Sequence, residues 1–212
     1  MSKTFDVYPR IRRLPSFGEL IERSTIELHR FLDSVGIPAR PRIHARLQSH
    51  DDHAHLPLAL RDPLSWKPST YAWFMVGDVA GGTDAYFEAD AESIRETWDG
   101  PFDDPKCVRI DSVIRECVDV GHCWSFRRSA GQTGIVSLAY GLIAGSLAAI
   151  TDGFIYSVDS AWDWERMPAR PEDFLKFYFR PELAIDEGCR EWSQRCIEAF
   201  ADDLRDVDGA LD

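Results

Sequence analysis

The sequence has no CxxC pair, no GxSxG elbow, no GxGxxG loop and no apolar run long enough to cross a bilayer. Each absence removes a class of protein. Five cysteines (Cys107, Cys117, Cys123, Cys189 and Cys196) form an odd, scattered set. A secreted disulfide framework uses an even count in a shorter chain, and structural zinc takes four close ligands, usually from two short pairs. Reduced thiols and a cytoplasmic location are therefore expected. Without a nucleophile elbow, Ser157 or Ser160 beside Asp159 reads as strand-end chemistry rather than a triad. Cys123 follows His122, but adjacent residues on a strand point to opposite faces, which argues against a thiolate pair. Residues 77–82, GDVAGG, lack the spacing of a phosphate loop. The N-terminal stretch MSKTFDVYPRIRRLPSF carries arginines but no apolar core or cleavage site, so no secretory leader is expected.

Positive charge is also scarce. The 212 residues hold 24 Lys plus Arg against 36 Asp plus Glu, a net of −12. A field of that sign repels a phosphate backbone and attracts a basic partner, so no nucleic-acid partner is expected. The imbalance is local. Residues 1–50 carry nine basic and five acidic groups, whereas residues 84–104 carry eight acids and one Arg, and residues 182–212 ten acids and three Arg. Hydrophobic residues at 44% and charged residues at 28% otherwise match an ordinary globular domain with a core of its own.

Residues 129–151 contain no charged side chain, but the solidly apolar part, 135–150, is 16 residues long. Crossing hydrocarbon takes roughly 20. A buried core helix is the expected reading, with Gly141-x3-Gly145 allowing close approach, and no membrane partner. Periodicity and caps predict helices over about 16–35, 84–98, 133–150, 171–179 and 184–205. Ser16 and Glu19 have capping-box spacing, Gly36 and Pro38 stop the first helix, Gly153 is placed to cap the third, and Pro171 opens the fourth. Residues 37–70 read mostly as loop with a strand near 42–47. Further strands are expected at 71–76, 122–127 and 154–158, while 108–120 fits strand or helix equally. No repeat or linker interrupts the chain, so one α+β domain spanning 1–212 is expected, a mostly antiparallel sheet flanked by helices.

Three constellations could carry chemistry. The first is HDDHAH, residues 50–55, preceded by His44; His44, His50, His53 and His55 could ligate a metal, though the spacing matches no helical motif and the setting reads as a polar loop. The second is DSAWDWE, residues 159–165. Asp159 and Asp163 among tryptophans could serve a glycoside hydrolase, a strand end with core aromatics, or the rim of a protein-binding surface, since Trp and Tyr anchor interfaces. The third is the acidic segment 84–104, either a solvated helix face or a charge-complementary face for a basic protein. No cofactor is called for.

The segment TDGFIYSVDSAWDWERMPARPEDFLKFYFRPE, residues 151–182, resembles bacterial immunity proteins that neutralise polymorphic toxins, in particular immunity protein family 52. The helix sequence FGELIERSTIELHRFL and the apolar helix before TDG fit the same likeness. Members accompany restriction-endonuclease-like effectors of the Tox-REase-5 type, including type VI secretion DNases. The resemblance implies a non-catalytic cytoplasmic protein, a monomer or small homo-oligomer, that binds its cognate nuclease and blocks it, over the active centre or away from it. It supplies no interface residues. Charge and aromatic content in this chain point to Asp84, Glu88, Asp90, Glu92, Glu96, Asp159, Trp162 and Asp163 as toxin contacts. An enzyme using the histidines or the two aspartates, and an adaptor using a Trp-rich surface, are the alternatives.

Overall fold

Seven strands, β1 (Lys3–Tyr8), β2 (Ile43–Ser49), β3 (His55–Leu56), β4 (Thr70–Val76), β5 (Thr83–Glu88), β6 (Cys123–Arg128) and β7 (Phe154–Tyr156), form one antiparallel sheet in the order β3-β2-β4-β5-β6-β1-β7. The structure is a computed structural model and describes residues 2–99, 101 and 104–205. Among the described residues seven α-helices accompany the sheet: α1 (Phe17–Ser34), α2 (Ala91–Asp99), α3 (Pro105–Val108), α4 (Asp111–Val118), α5 (Gly134–Ile150), α6 (Pro171–Phe177) and α7 (Glu187–Asp203). The expected α+β class with an antiparallel sheet is the one observed.

Strand alternation decides where the core sits. Phe5 and Val7 of β1, Ala72, Phe74 and Val76 of β4, Ala85 of β5, and Trp124 and Phe126 of β6 point to one face and are buried. Helices α1 and α5 pack on that face, and α7 packs behind α5. Helix α1 begins as its sequence requires: the Ser16 hydroxyl accepts from Glu19 N and the Glu19 carboxylate accepts from Ser16 N, satisfying two end donors at once. Its apolar stripe (Phe17, Leu20, Leu28, Phe31 and Leu32) faces inward.

Helix α5 is the apolar segment, buried over all but its last two residues. No described helix is long and apolar enough to cross a membrane. The glycines set the packing distance: a Cβ on Gly141 would lie 2.1 Å from Cζ of Tyr178, whose ring rests against the helix and whose hydroxyl donates to Ser137 O at 2.8 Å. The predicted glycine cap is corrected. Asp152, at φ +50°, takes the left-handed position after α5, a conformation short polar side chains tolerate. Gly153 serves another end, since a Cβ there would fall 2.1 Å from the Tyr8 carbonyl oxygen.

The second sheet face is only partly covered. Over β1 and β7, Trp98 of α2 packs its edge on Tyr8 and Phe154 and lies 4.9 Å from Tyr156, with Cys107, Ile114 and Cys117 buried nearby. The ambiguous residues 108–120 are thus helical for the most part, closing this end of the sheet. The helix expected over 84–98 is also corrected: residues 83–88 are strand β5, and the helix begins only at Ala91. Its inward residues, Ile94 and Trp98, are one helical turn apart and give α2 its buried side.

Candidate protein-docking surface

Beyond the reach of α2, no helix among the described residues covers the second face of β2, β4 and β5. Alternation puts His44, Arg46 and Gln48 of β2, Tyr71, Trp73 and Met75 of β4, and Asp84 and Tyr86 of β5 on this side. Trp73, Met75 and Tyr86 are half-buried, and His44 and Arg46 are exposed. Trp73 lies against the β4–β5 turn because Gly82 leaves room for it; a Cβ at Gly82 would come within 2.5 Å of the indole.

Cross-strand contacts fix the platform. The Arg127 guanidinium of β6 donates from Nε to Asp84 Oδ2 at 2.8 Å and also from Nη2, and it stands 5.5 Å above the Tyr86 ring. The Tyr86 hydroxyl donates to the same carboxylate at 2.9 Å. Burial and the charge of Asp84 push the Tyr86 phenol up to about 12. The turn after β2 folds over one corner. His50 stacks on Tyr86 with ring centroids 5.6 Å apart and lies 5.1 Å from Tyr71, while His53 Nδ1 is 2.9 Å from the Tyr71 hydroxyl.

An acidic wall stands at the α2 side of this platform. Glu88, Asp90, Glu92 and Glu96 are all exposed. Glu88 Oε1 accepts from Ala89 N and Asp90 N, and Asp90 Oδ1 accepts from Glu92 N and Ser93 N, so those two carboxylates shape the entry to α2. Glu92 and Glu96, four residues apart, share a helix face and make no ion pair among the described residues. The acidic α7 differs, because Arg190 and Arg195 pair with its Glu187 and Glu191. Its Glu198 and Asp203 make no ion pair among the described residues, but α7 packs behind α5, away from the platform.

Three of the expected contacts are not on the surface. Asp84 is buried and holds Arg127. Trp162, 1% exposed, stacks on Phe179 and meets Tyr178 and Trp192, filling the core between α7 and the loop after α6. Asp163, also 1% exposed, accepts from Ile185 N at 3.0 Å and Asp186 N at 2.9 Å and lies 3.4 Å from Arg166 Nε, which fixes the approach to α7. Asp159 is half-buried. Its carboxylate accepts from Thr4 N and the Ser157 hydroxyl, and Lys3 Nζ donates to its carbonyl, so it ties β1 to the segment after β7. The structure therefore brings together Glu88, Asp90, Glu92 and Glu96, and separates them from the 159–163 group.

The same contacts bear on the enzyme alternatives. A cavity of about 410 Å³ lies beside Asp163, lined also by Trp164, Glu165, Asp186 and Glu187. Both oxygens of Asp163 are turned to main-chain N–H groups, Asp186 caps α7 through Cys189 N, and Glu165 and Glu187 pair with Lys106 and Arg190. Paired carboxyls poised for proton transfer are not what these contacts make. The histidines are spread along β2, its turn and β3, and no group of three His, Cys, Asp or Glu able to hold a metal occurs among the described residues. All five cysteines are free thiols. Burial pushes Cys117 and Cys189 up to about 12 and raises Cys123 further, which keeps them from the thiolate form.

Sequence reasoning missed Trp73, Met75 and Tyr86 as surface residues. YAWFMV reads as a buried strand, yet no described helix covers Trp73 and Met75, and only Tyr71 of the alternate positions is buried, under His50 and Tyr86; the available signal is period-two alternation between Ala72, Phe74, Val76 and Tyr71, Trp73, Met75. Comparison of the chain with family models, curated proteins and solved structures finds no match.

Proposed function

We propose that this chain is an immunity protein that binds a secreted nuclease toxin in the cytoplasm of the producing bacterium and blocks it without turning over any substrate. The observation that carries the reading is the uncovered aromatic face of β4 and β5 beside the unpaired carboxylates of α2. A nuclease must present basic groups to DNA phosphates. An acidic wall draws such a partner in and raises its association rate, while half-buried aromatics at the centre of a patch are the usual energetic anchors. Steric occlusion follows once the platform is seated on the toxin's basic groove.

The resemblance in residues 151–182 prompts the same reading, although no family model matches the chain, and the engagement of Asp159 and Asp163 in the fold supports it by taking both out of a catalytic role. The test is rescue. Cells expressing the nuclease encoded beside this gene should survive when the chain is co-expressed, and survival should fall with Glu92→Lys/Glu96→Lys. Death of cells carrying the wild-type chain would reject the proposal. Capture of a partner that is not a nuclease, through the same face, would favour the adaptor alternative.

A further inference from the structure

A second concavity lies at the opposite end of the strand order, beyond β7. Its wall is the 166–170 segment, which pairs with β7 through Ile155 and Ala169, together with α6 and the α3–α4 junction. The cavity measures about 440 Å³. Arg109, Arg166, Arg170 and Lys176 line it against a single lining carboxylate, Asp173. In a chain with a net charge of −12 such a concentration of cations runs against the overall field.

The four cations are not equivalent. Arg166 and Arg170 are fixed by the fold. Arg166 Nη2 donates to Leu183 O at 2.7 Å, its guanidinium lies 4.8 Å from the Phe177 ring centroid, and its side chain is 32% exposed. Arg170 is 23% exposed and stands 3.4 Å from Asp152 and 3.6 Å from Glu172. Neither buried Nε forms a hydrogen bond, despite the carboxylates behind them. Arg109 and Lys176 make no ion pair among the described residues, Asp173, one turn before Lys176 on α6, included. Two ordered guanidinium groups and two unpaired cations thus converge on one hollow, beside Phe177, Pro168 and Leu183.

We infer that this cavity is a binding site for a small organic phosphate, the phosphate on the four cations and the apolar part against Phe177, Pro168 and Leu183. The volume lies at the small end of the range for small-molecule sites, roughly 300–1,000 Å³, too small for a folded partner. A dianion gains more than a carboxylate from several converging cations, and guanidinium forks match phosphate oxygens two at a time. The site is independent of the docking surface, so it stands or falls without the immunity reading.

Calorimetric titration of the full chain with phenyl phosphate, inorganic phosphate and benzoate tests it. Phenyl phosphate should bind saturably, about tenfold tighter than either of the other two, and more weakly as salt is added. Arg109→Ala/Lys176→Ala should weaken that binding at least about tenfold while leaving the unfolding midpoint unchanged, because both side chains are exposed and unpaired. A control pair, Arg42→Ala/Arg46→Ala, removes the same charge from β2 and its approach and should leave the affinity near wild type. Absence of saturable binding, or equal losses in the two double variants, would overturn the site. Equal affinity for benzoate would overturn its preference for phosphate, and equal affinity for inorganic phosphate would overturn the organic part.

Discussion

Replacing Asp163 by Asn separates a structural carboxylate from a catalytic one. The side chain is 0% exposed, and its two oxygens accept from Ile185 N and Asp186 N at 3.0 and 2.9 Å with Arg166 alongside. Asn keeps one acceptor but turns an amide N–H₂ toward the other main-chain donor, leaving that donor unsatisfied and Arg166 without its counter-charge. Hydrogen bonds to a charged group contribute about 1.5–3 kcal/mol, and breaking a buried pair costs up to about 5, so a loss of about 2–4 kcal/mol is expected. In equilibrium urea unfolding this lowers the midpoint by about 1–2 M at a typical slope. Asp186→Asn is an internal control. It removes the same charge from the turn that Asp163 holds, but Asn is about as good an N-cap as Asp, so only a few tenths of a kcal/mol are expected. If Asp163→Asn unfolds at the wild-type midpoint, or the two variants fall equally, the assignment of Asp163 to the fold is wrong.

Two further outcomes rest on packing and burial. Gly141→Ala drives a methyl into the buried Tyr178 ring and should lower the thermal midpoint by an amount reflecting about 1–3 kcal/mol despite the better helix propensity of Ala, with part of the loss recovered in Gly141→Ala/Tyr178→Leu; a midpoint at or above wild type would refute the close contact. Burial, countered by the Ser125 hydroxyl and aided by the charge of Asp159, pushes the Asp6 carboxyl up to about 6. The folded chain therefore holds this proton more tightly than the unfolded chain, and the group's contribution to stability falls as pH rises from about 4 to 6. Asp6→Asn should gain on the order of 2–3 kcal/mol over wild type at pH 7.5 and nothing at pH 4; an equal effect at both values in urea unfolding would contradict the burial argument.

Local signals in the sequence located the helices well. The capping box at Ser16 and Glu19, the proline at 171, and the apolar stripe of the last helix depend on neighbours within a turn or two, and each appears where its pattern puts it. Strand β1 was missed because KTFDVY is short and half polar; only its central place, between β6 and β7, buries Phe5 and Val7. The 84–98 segment looks in sequence like one acidic helix, and what makes its first part a strand is pairing with β4 and β6, the latter 35 to 43 residues away. The candidate site suffered from the same non-locality. An Asp whose charge is met by Arg127 across a strand, and a Trp enclosed by Phe179 and Trp192, look the same in sequence as exposed ones. Conversely, Trp73 and Tyr86 stay accessible only because the helices on their side stop at α2, a property of the whole chain path.

In the proposed function, the open β4–β5 face and the α2 carboxylates engage a nuclease. The most direct measurement is the association of the purified chain with a nuclease toxin encoded next to its gene, where one is found, followed at low and high salt for wild type, Trp73→Ala and Glu92→Lys/Glu96→Lys. Tight binding is expected, with an on-rate that falls with salt, a loss of about 10- to 100-fold in affinity for Trp73→Ala through faster dissociation, and slower association for the charge reversal. No binding by the wild-type chain, or binding that neither variant alters, would contradict it.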